Sequence, residues 1–479
     1  MNASAFPIAR VSSHSGGMFL GLQMFFLLAF GIPILMLSLL ADFSLNAESL
    51  LGWVIIAYSS LRLAFLAVDG KKRLISLTFW VFVYVWFGIA AMLQLLIGWF
   101  PWRGSYSTEI IGKAFIVVYL GLLAYELGRL LALRRAKKVK ALFIHRLVEA
   151  KRTLLCVVLA VVTTIICIDY LGGPASLLVS RETFIKHMLE ISRGQGKASY
   201  MLLAAMLRVP AFIATVLLLA LWINRDKKRI IHSKAVHFLL LLLVSLLNFF
   251  VNNPMSSARA WIGTIVISLL FIRIAWRRPH SFASWTIGLV FMFIVVFPYA
   301  DLFRRSIDPS FHEIGGTSAS EQLIKNGDYG SFQQVLNGVV YVQKNGMSYG
   351  SQILGTLFVW VPRSLWGNKP IDTAELVAVH MGYRYTNLEM PLWAEMYVDG
   401  GMVAVAIGLF VFGMLTAICE RAYLDNQNKD SLTFINLFVP VFAAYQILLI
   451  RGDLMSTFSW IFAITLFMLL PTRSAARSS

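Results

Sequence analysis

Charged residues are scarce in this chain of 479 residues. Asp, Glu, Lys and Arg make up 14% of it, against 58% hydrophobic residues. A soluble domain carries about 25% charged and roughly 45–50% apolar residues, so a soluble protein with a large core is excluded. Cysteine is nearly missing. The three present, Cys156, Cys167 and Cys419, are scattered through apolar runs without metal-ligand spacing. That excludes a disulfide framework and leaves them as small buried hydrophobes. Several catalytic signatures are also lacking. No Gly-x-x-x-x-Gly-Lys-Ser/Thr stretch exists to cradle a nucleotide, and no His-Glu-x-x-His to hold zinc. No Asp-x-Asp exists, even in the acidic stretch from Asp42 to Glu48. Divalent cations that handle diphosphates want clustered carboxylates. Their absence points to cationic side chains as an anion clamp, with no metal and no cofactor required.

What the chain has in abundance is apolar length. A membrane-spanning helix needs about 20 mostly apolar residues. Twelve blocks qualify: 18–40, 50–68, 74–100, 109–129, 153–173, 199–223, 235–251, 260–276, 281–300, 398–419, 432–450 and 454–470. The first is too long for a signal-peptide core and lacks a clear cleavage site, so it is expected to remain as a helix. The fold class expected is an all-α polytopic membrane protein, one membrane-embedded domain over 1–479 with about twelve transmembrane helices.

Basic residues mark every second connection. Lys71-Lys72-Arg73, Arg134 to Lys140, Arg225 to Lys234 and Arg277-Arg278 follow blocks two, four, six and eight. That alternation is the positive-inside pattern, and it predicts both termini in the cytoplasm. It also accounts for the formal net charge of +18. The predicted cytoplasmic segments hold 24 Lys+Arg and 6 Asp+Glu, while the outer segments hold 15 and 17. The positive excess is a topology signal, so a nucleic-acid partner is not implied.

One connection is unlike the rest. Residues 301–397 form a single predicted outer stretch, far longer than the usual handful of residues. It contains Trp360, Trp366, Trp393, Tyr341, Tyr349, Tyr383, Tyr385 and Tyr397. Aromatics are depleted in disordered segments, so an ordered loop is expected. The part near 351–366 is apolar but too short to span, which suits a re-entrant or interfacial element.

Ionisable groups within apolar blocks are costly and therefore candidates. Arg208 lies mid-block, beside Pro210. Arg62 lies in block two, where a local partner or function are both open. Glu126 and Arg129, three apart on one helix face, are expected to pair. On the outer side, Ser256 and Ser257 suit the cap of block eight, with Arg259 in its first turn. A cation there opposes the helix dipole unless it serves an anion bound at that end, the plainer reading being an interfacial anchor. Arg363 and Lys369 lie in Trp-Val-Pro-Arg-Ser-Leu-Trp-Gly-Asn-Lys-Pro, between prolines and indoles. Glu389, Glu395 and Asp399 follow. Arg451-Gly452-Asp453 forms the short turn between the last two blocks. Arginine is the usual bidentate partner of phosphate oxygens.

These segments resemble the Wzy oligosaccharide repeat-unit polymerases, including the O-antigen and enterobacterial-common-antigen types. The resemblance rests on Ser257-Ala258-Arg259-Ala260; on Val361 to Trp366 followed by Lys369-Pro370; on Glu395 with Tyr397 and Gly400-Gly401; and on Arg451-Gly452-Asp453. It implies a broad lipid-sugar glycosyltransferase (GT-C-like) class and work at the periplasmic face of the bacterial inner membrane. It implies transfer of a growing glycan from undecaprenyl diphosphate onto an incoming carrier-linked repeat unit. It also implies membrane lipid, a chain-length regulator and a flippase as partners. The chain departs from many lipid-sugar transferases in lacking the acidic metal motif of the first outer loop. Under this reading Arg259, Arg363 and Arg451, with Lys369 and Arg208 behind them, are the expected diphosphate ligands, because preorganised cations stabilise the leaving group. Glu395, Asp453, Glu389 and His380 are the candidate general bases, Glu395 first. For Glu395 and Asp453 a salt bridge to an arginine is the competing role. Two other functions stay open. An O-antigen ligase would use the same donor with a different acceptor, and a transporter would carry polar groups through both halves of the bundle.

Overall fold

The computed structural model describes residues 12–135, 146–191, 197–224, 233–273, 279–299, 318–361, 363–427 and 432–474. In chain order its principal helices are α1 (Gly17–Ser38), α2 (Ala47–Asp69), α3 (Leu74–Ile97), α4 (Thr108–Arg135), α5 (Ala150–Tyr170), α6 (Arg181–Ile191), α7 (Lys197–Ile223), α8 (Lys234–Val251), α9 (Arg259–Arg273) and α10 (Ser281–Tyr299). They continue with α11 (Ala319–Lys325), α12 (Ser331–Asn345), α13 (Ser351–Leu357), α14 (Thr373–His380), α15 (Leu392–Asn426), α16 (Phe434–Arg451) and α17 (Leu454–Leu469). Two short strands, β1 (Arg146–Val148) and β2 (Thr472–Ser474), form an antiparallel ribbon.

Among the described residues ten helices are long and apolar enough to cross a membrane: α1 to α5, α7, α8, α10, α15 and α16. The protein is therefore an all-α multi-pass membrane protein. The other two of the twelve expected spans are, among the described residues, shorter apolar helices. The eighth block is α9, at 15 residues, and residues 274–278 beyond it lie outside the described set. The twelfth is α17, at 16 residues. At 1.5 Å per residue that is about 24 Å, less than the ~30 Å hydrocarbon core. Pro471 follows α17 and cannot extend the helical ladder. The three cysteines are free thiols, Cys156 and Cys167 buried.

The described residues fall in two compact units, one within Met1–Phe115 and Ala275–Gln333, the other within Ile116–Ile274 and Gln334–Ser479. The first is built round α3. Residues Leu74 to Leu96 are buried without a break, as a helix apolar on every face requires. Two of its polar groups find backbone partners in α11 and the turn that follows it. The Gln94 amide donates to the Leu323 and Tyr329 carbonyls at 3.0 and 2.9 Å, and the Trp86 indole donates to the Asp328 carbonyl at 2.8 Å.

The second unit is centred on α7. Phe212, Val216 and Leu217 from α7 pack with Trp261 and Ile265 of α9, Leu437, Val441 and Tyr445 of α16, and Ile464 and Met468 of α17. The β1–β2 ribbon and an isolated bridge from Leu147 to Thr433 tie three connections together at one end of this unit. These connections lie in or beside 130–152, 420–431 and 471–479, which the charge pattern assigns to one common side. The turns at 252–258, 369–391 and 452–453 lie at the opposite end.

Two helices of this unit touch backbone to backbone. A Cβ on Gly128 of α4 would lie 2.0 Å from the Phe410 carbonyl oxygen, and one on Gly413 of α15 would lie 2.1 Å from the Tyr125 carbonyl oxygen. The approach brings Arg129 within 3.7 Å of Glu126, the expected pair, and within 3.9 Å of Glu420. Glu420 is a correction. It was expected in a connection, but α15 runs on to Asn426 and buries it at 2% exposure.

Candidate functional site

The site lies in the second unit and begins with two helix starts. Asp453 caps α17, its Oδ1 accepting from the Ser456 N–H at 3.1 Å. Asp372 caps α14 in the same way, accepting from the Glu375 N–H at 2.8 Å. Acidic caps suit both ends, since free N–H groups and the helix dipole favour negative charge there.

The two helix starts converge on a pair of carboxyls. Glu395, in the first turn of α15, is buried at 3% exposure. Its Oε2 accepts from the Thr373 hydroxyl at 2.5 Å, and its Oε1 accepts from the Leu454 N–H at 2.7 Å. The other Asp453 oxygen, Oδ2, accepts from the Ala374 N–H at 3.2 Å. Glu395 and Asp453 are thus drawn to the same pair of helix starts. Thr373, Leu454, Ala374 and Ser456 hold the two carboxyls from the starts of α14 and α17.

Arg451, at the last turn of α16, pairs elsewhere. Its Nε donates to Glu389 Oε2 at 2.6 Å, with the two side chains 11% and 4% exposed. Glu389 sits just ahead of α15, so the ion pair and the carboxyl pair bracket the same helix start.

The Arg363–Lys369 turn lies beside them. A Cβ on Gly355 of α13 would come within 2.6 Å of Pro370 and 2.9 Å of Met455, which packs this turn against the start of α17. Lys369 is buried and donates to the Val359 and Val361 carbonyls at 2.7 and 2.9 Å. Burial, and then the Arg363 guanidinium, hold its ammonium below the usual lysine range. Arg363 is exposed and donates to the Lys369 and Pro370 carbonyls at 2.7 and 3.2 Å. Lys369 therefore braces the turn, while Arg363 combines that role with a solvent-facing charge. The stretch near 351–366 holds only the seven-residue α13 and turns. Asp399 anchors it, its Oδ1 accepting from the Gln352 N–H at 3.0 Å. Just beyond, Gly400 and Gly401 break α15, Gly401 with a φ of 63° that favours glycine.

Arg259 opens α9 and is half-buried. Two residues on, Trp261 meets Trp460 at 4.6 Å and Tyr445 at 6.2 Å, ring centre to ring centre. The start of α9 thus lies at the end of the unit where α16 stops and α17 begins. The cap expected from Ser256 or Ser257 is not made, because the helix starts one residue later and Ala258 precedes it. The serines turn to Arg208 instead. Arg208, 3% exposed, donates to the Ser257 hydroxyl and, at 3.0 Å, to the Ser256 carbonyl, with Phe184 stacked 4.9 Å away. Asn252 locks this arrangement, donating to the Arg208 carbonyl at 3.1 Å and accepting from the Trp261 indole at 2.8 Å.

His380 stands apart. It is seven residues along α14 from Thr373, about 10 Å at 1.5 Å per residue. Its ring packs edge-on to Tyr341 at 5.3 Å and bonds the Asn345 amide at 3.1 Å. The structure brings Glu395, Asp453, Arg451 and Glu389 to one place, sets Arg363, Lys369 and Arg259 at the same end, and leaves His380 outside. Thr373 was not expected. Its one sequence signal is Asp372-Thr373-Ala374-Glu375, an acidic cap followed by Glu three residues on, which announces a helix start. Among the described residues no three His, Cys, Asp or Glu side chains group as metal ligands.

Compared with known proteins, the chain matches no family model, no curated protein and no solved structure.

Proposed function

We propose that this chain is a lipid-linked oligosaccharide polymerase of the Wzy type, acting at the outer face of a bacterial inner membrane. One observation carries the reading. The four segments that resemble those polymerases are far apart in sequence, yet all four lie at one end of the second unit, around the start of α15 and the α16–α17 turn.

The chemistry follows from those groups. The acceptor sugar hydroxyl attacks the anomeric carbon of the carrier-linked glycan. A new C–O bond forms, the bond to the diphosphate oxygen breaks, and its electron pair leaves with undecaprenyl diphosphate. Arginines at the same end, Arg259, Arg363 and Arg451, stabilise that developing charge. The hydroxyl proton passes to the Glu395–Asp453 pair. Arg451 is held by Glu389 until a diphosphate competes for it. Lys369 supports the turn that carries Arg363, and Arg208 fixes the serines ahead of Arg259.

The test is a deletion in the producing bacterium, complemented with wild-type and variant chains. Loss of a polymerase leaves single repeat units on the outer lipid. Loss of a ligase leaves none, and loss of a carrier-lipid transporter leaves the units unexported. Single repeat units support the proposal, and either other pattern overturns it.

A further inference from the structure

Glu395 is buried, flexible enough in principle to take several rotamers, and placed in the first turn of a helix whose following residues contain a glycine break. Something must hold its carboxyl in one orientation. The Leu454 N–H fixes Oε1 from α17. On the α14 side a single side chain fixes Oε2, the Thr373 hydroxyl.

That side chain is not serving its own helix. The N-cap task at the start of α14 belongs to Asp372, whose carboxyl accepts from the Glu375 N–H. Thr373 is 2% exposed, and its hydroxyl points across to α15. The next residue, Ala374, donates its N–H to Asp453. Consecutive residues of α14 therefore grip the two carboxyls, one each. A buried hydroxyl spent on a carboxyl 22 residues away, with the local cap already filled, suits a role beyond helix start.

We propose that Thr373 is a positioning residue for the reaction: its hydroxyl fixes Glu395 Oε2 in the orientation that receives the proton of the acceptor hydroxyl. This rests on the polymerase reading above. A hydroxyl donates to a carboxylate, so it favours the charged, proton-accepting form of Glu395. Asp453 lies beside it at the start of α17, held by the Ala374 N–H of the same helix start that carries Thr373. Other charged groups at this end are Asp372 and Glu375 on α14, the Arg451–Glu389 pair, Arg363 and Lys369 on the neighbouring turn, Arg259 at the start of α9, and Asp399 one turn along α15. Thr373 is the neutral side-chain donor to Glu395 on the α14 side.

The experiment uses the full-length protein in liposomes with undecaprenyl-diphosphate repeat units, and measures polymer formation against pH. Thr373→Val keeps the shape and removes the hydroxyl. Its turnover at neutral pH is expected to fall about 10- to 100-fold, the loss of one hydrogen bond to a charged group. The acidic limb of its pH profile is expected to move to higher pH, with the KM for the repeat unit little changed. Thr373→Ser restores the donor and is expected to recover both turnover and profile. A merely structural role would lower yield without moving the profile. An active Thr373→Val with the wild-type profile overturns the inference while leaving the polymerase reading intact. Equal loss in Thr373→Ser and Thr373→Val, with an unmoved profile, overturns it too. A wild-type protein that forms no polymer overturns the polymerase reading, and the inference falls with it.

Discussion

The Arg451–Glu389 pair allows binding and folding roles of one arginine to be separated. The two side chains meet at 2.6 Å and are 11% and 4% exposed, so neither charge is well hydrated. Removing one partner of such a pair leaves the other charge buried and costs about 3–5 kcal/mol. Replacing both by neutral groups of similar volume is often close to neutral. Arg451→Met and Glu389→Gln are therefore each expected to destabilise the protein strongly. The double variant is expected to recover most of the loss, with a coupling of at least about 1.5 kcal/mol. The assay is unfolding in mixed detergent micelles, run beside polymer formation in liposomes. The double variant should be folded and yet form no long glycan, because the cation proposed to meet the diphosphate is gone. If each single change costs less than about 1 kcal/mol and the double is additive, the pair behaves as an exposed one and the burial argument fails. If the double variant polymerises, Arg451 is a folding residue alone.

Other consequences are more local. Gly128→Val and Gly413→Val place a Cβ about 2 Å from a carbonyl oxygen of the facing helix and should each cost roughly 1–3 kcal/mol or more. Gly112→Ala, where a Cβ meets nothing within 4 Å, serves as the control in the same melting assay. Lys369→Ala should loosen the 359–370 turn, seen as faster proteolysis there, since two carbonyls lose their donor. Burial pushes the Lys72 ammonium down to about 8. The unfolded chain then binds more protons between about 8 and about 10.4, so stability rises with pH through that window. The stability advantage of wild type over Lys72→Met should grow from pH 8 to pH 10, and a shrinking difference would contradict this.

The membrane architecture was legible because apolar length and basic loops are properties of contiguous sequence. Blocks two, six and seven match α2, α7 and α8 closely, and the Glu126–Arg129 pair follows from helical spacing. The last block, 454–470, matches α17 to within one residue, and only its length of 16 residues falls short of a full span. The wide π-helical turns at Leu27–Gly31, Val83–Ala90 and Met292–Val296 were not legible, since they have no compositional mark. In the site, residue types were readable and partners were not. Arg451 and Glu389 lie 62 positions apart, and Glu395 and Asp453 lie on helices separated by α16. Thr373 was invisible because a threonine at a helix start is ordinary; only the fold shows its hydroxyl turned away from its own helix.

The most direct test of the central claim is a reconstitution from purified parts. Protein in liposomes would be given undecaprenyl-diphosphate repeat units as the sole substrate, and the products resolved by size. The account predicts a ladder of glycans that lengthens with time, releases undecaprenyl diphosphate in step, survives EDTA, and is lost in Arg259→Ala, Arg363→Ala and Arg451→Ala. Lysine at these three positions should rescue poorly, because the planar fork is lost. Repeat units that stay single with wild-type protein, or a full ladder from all three alanine variants, would contradict it.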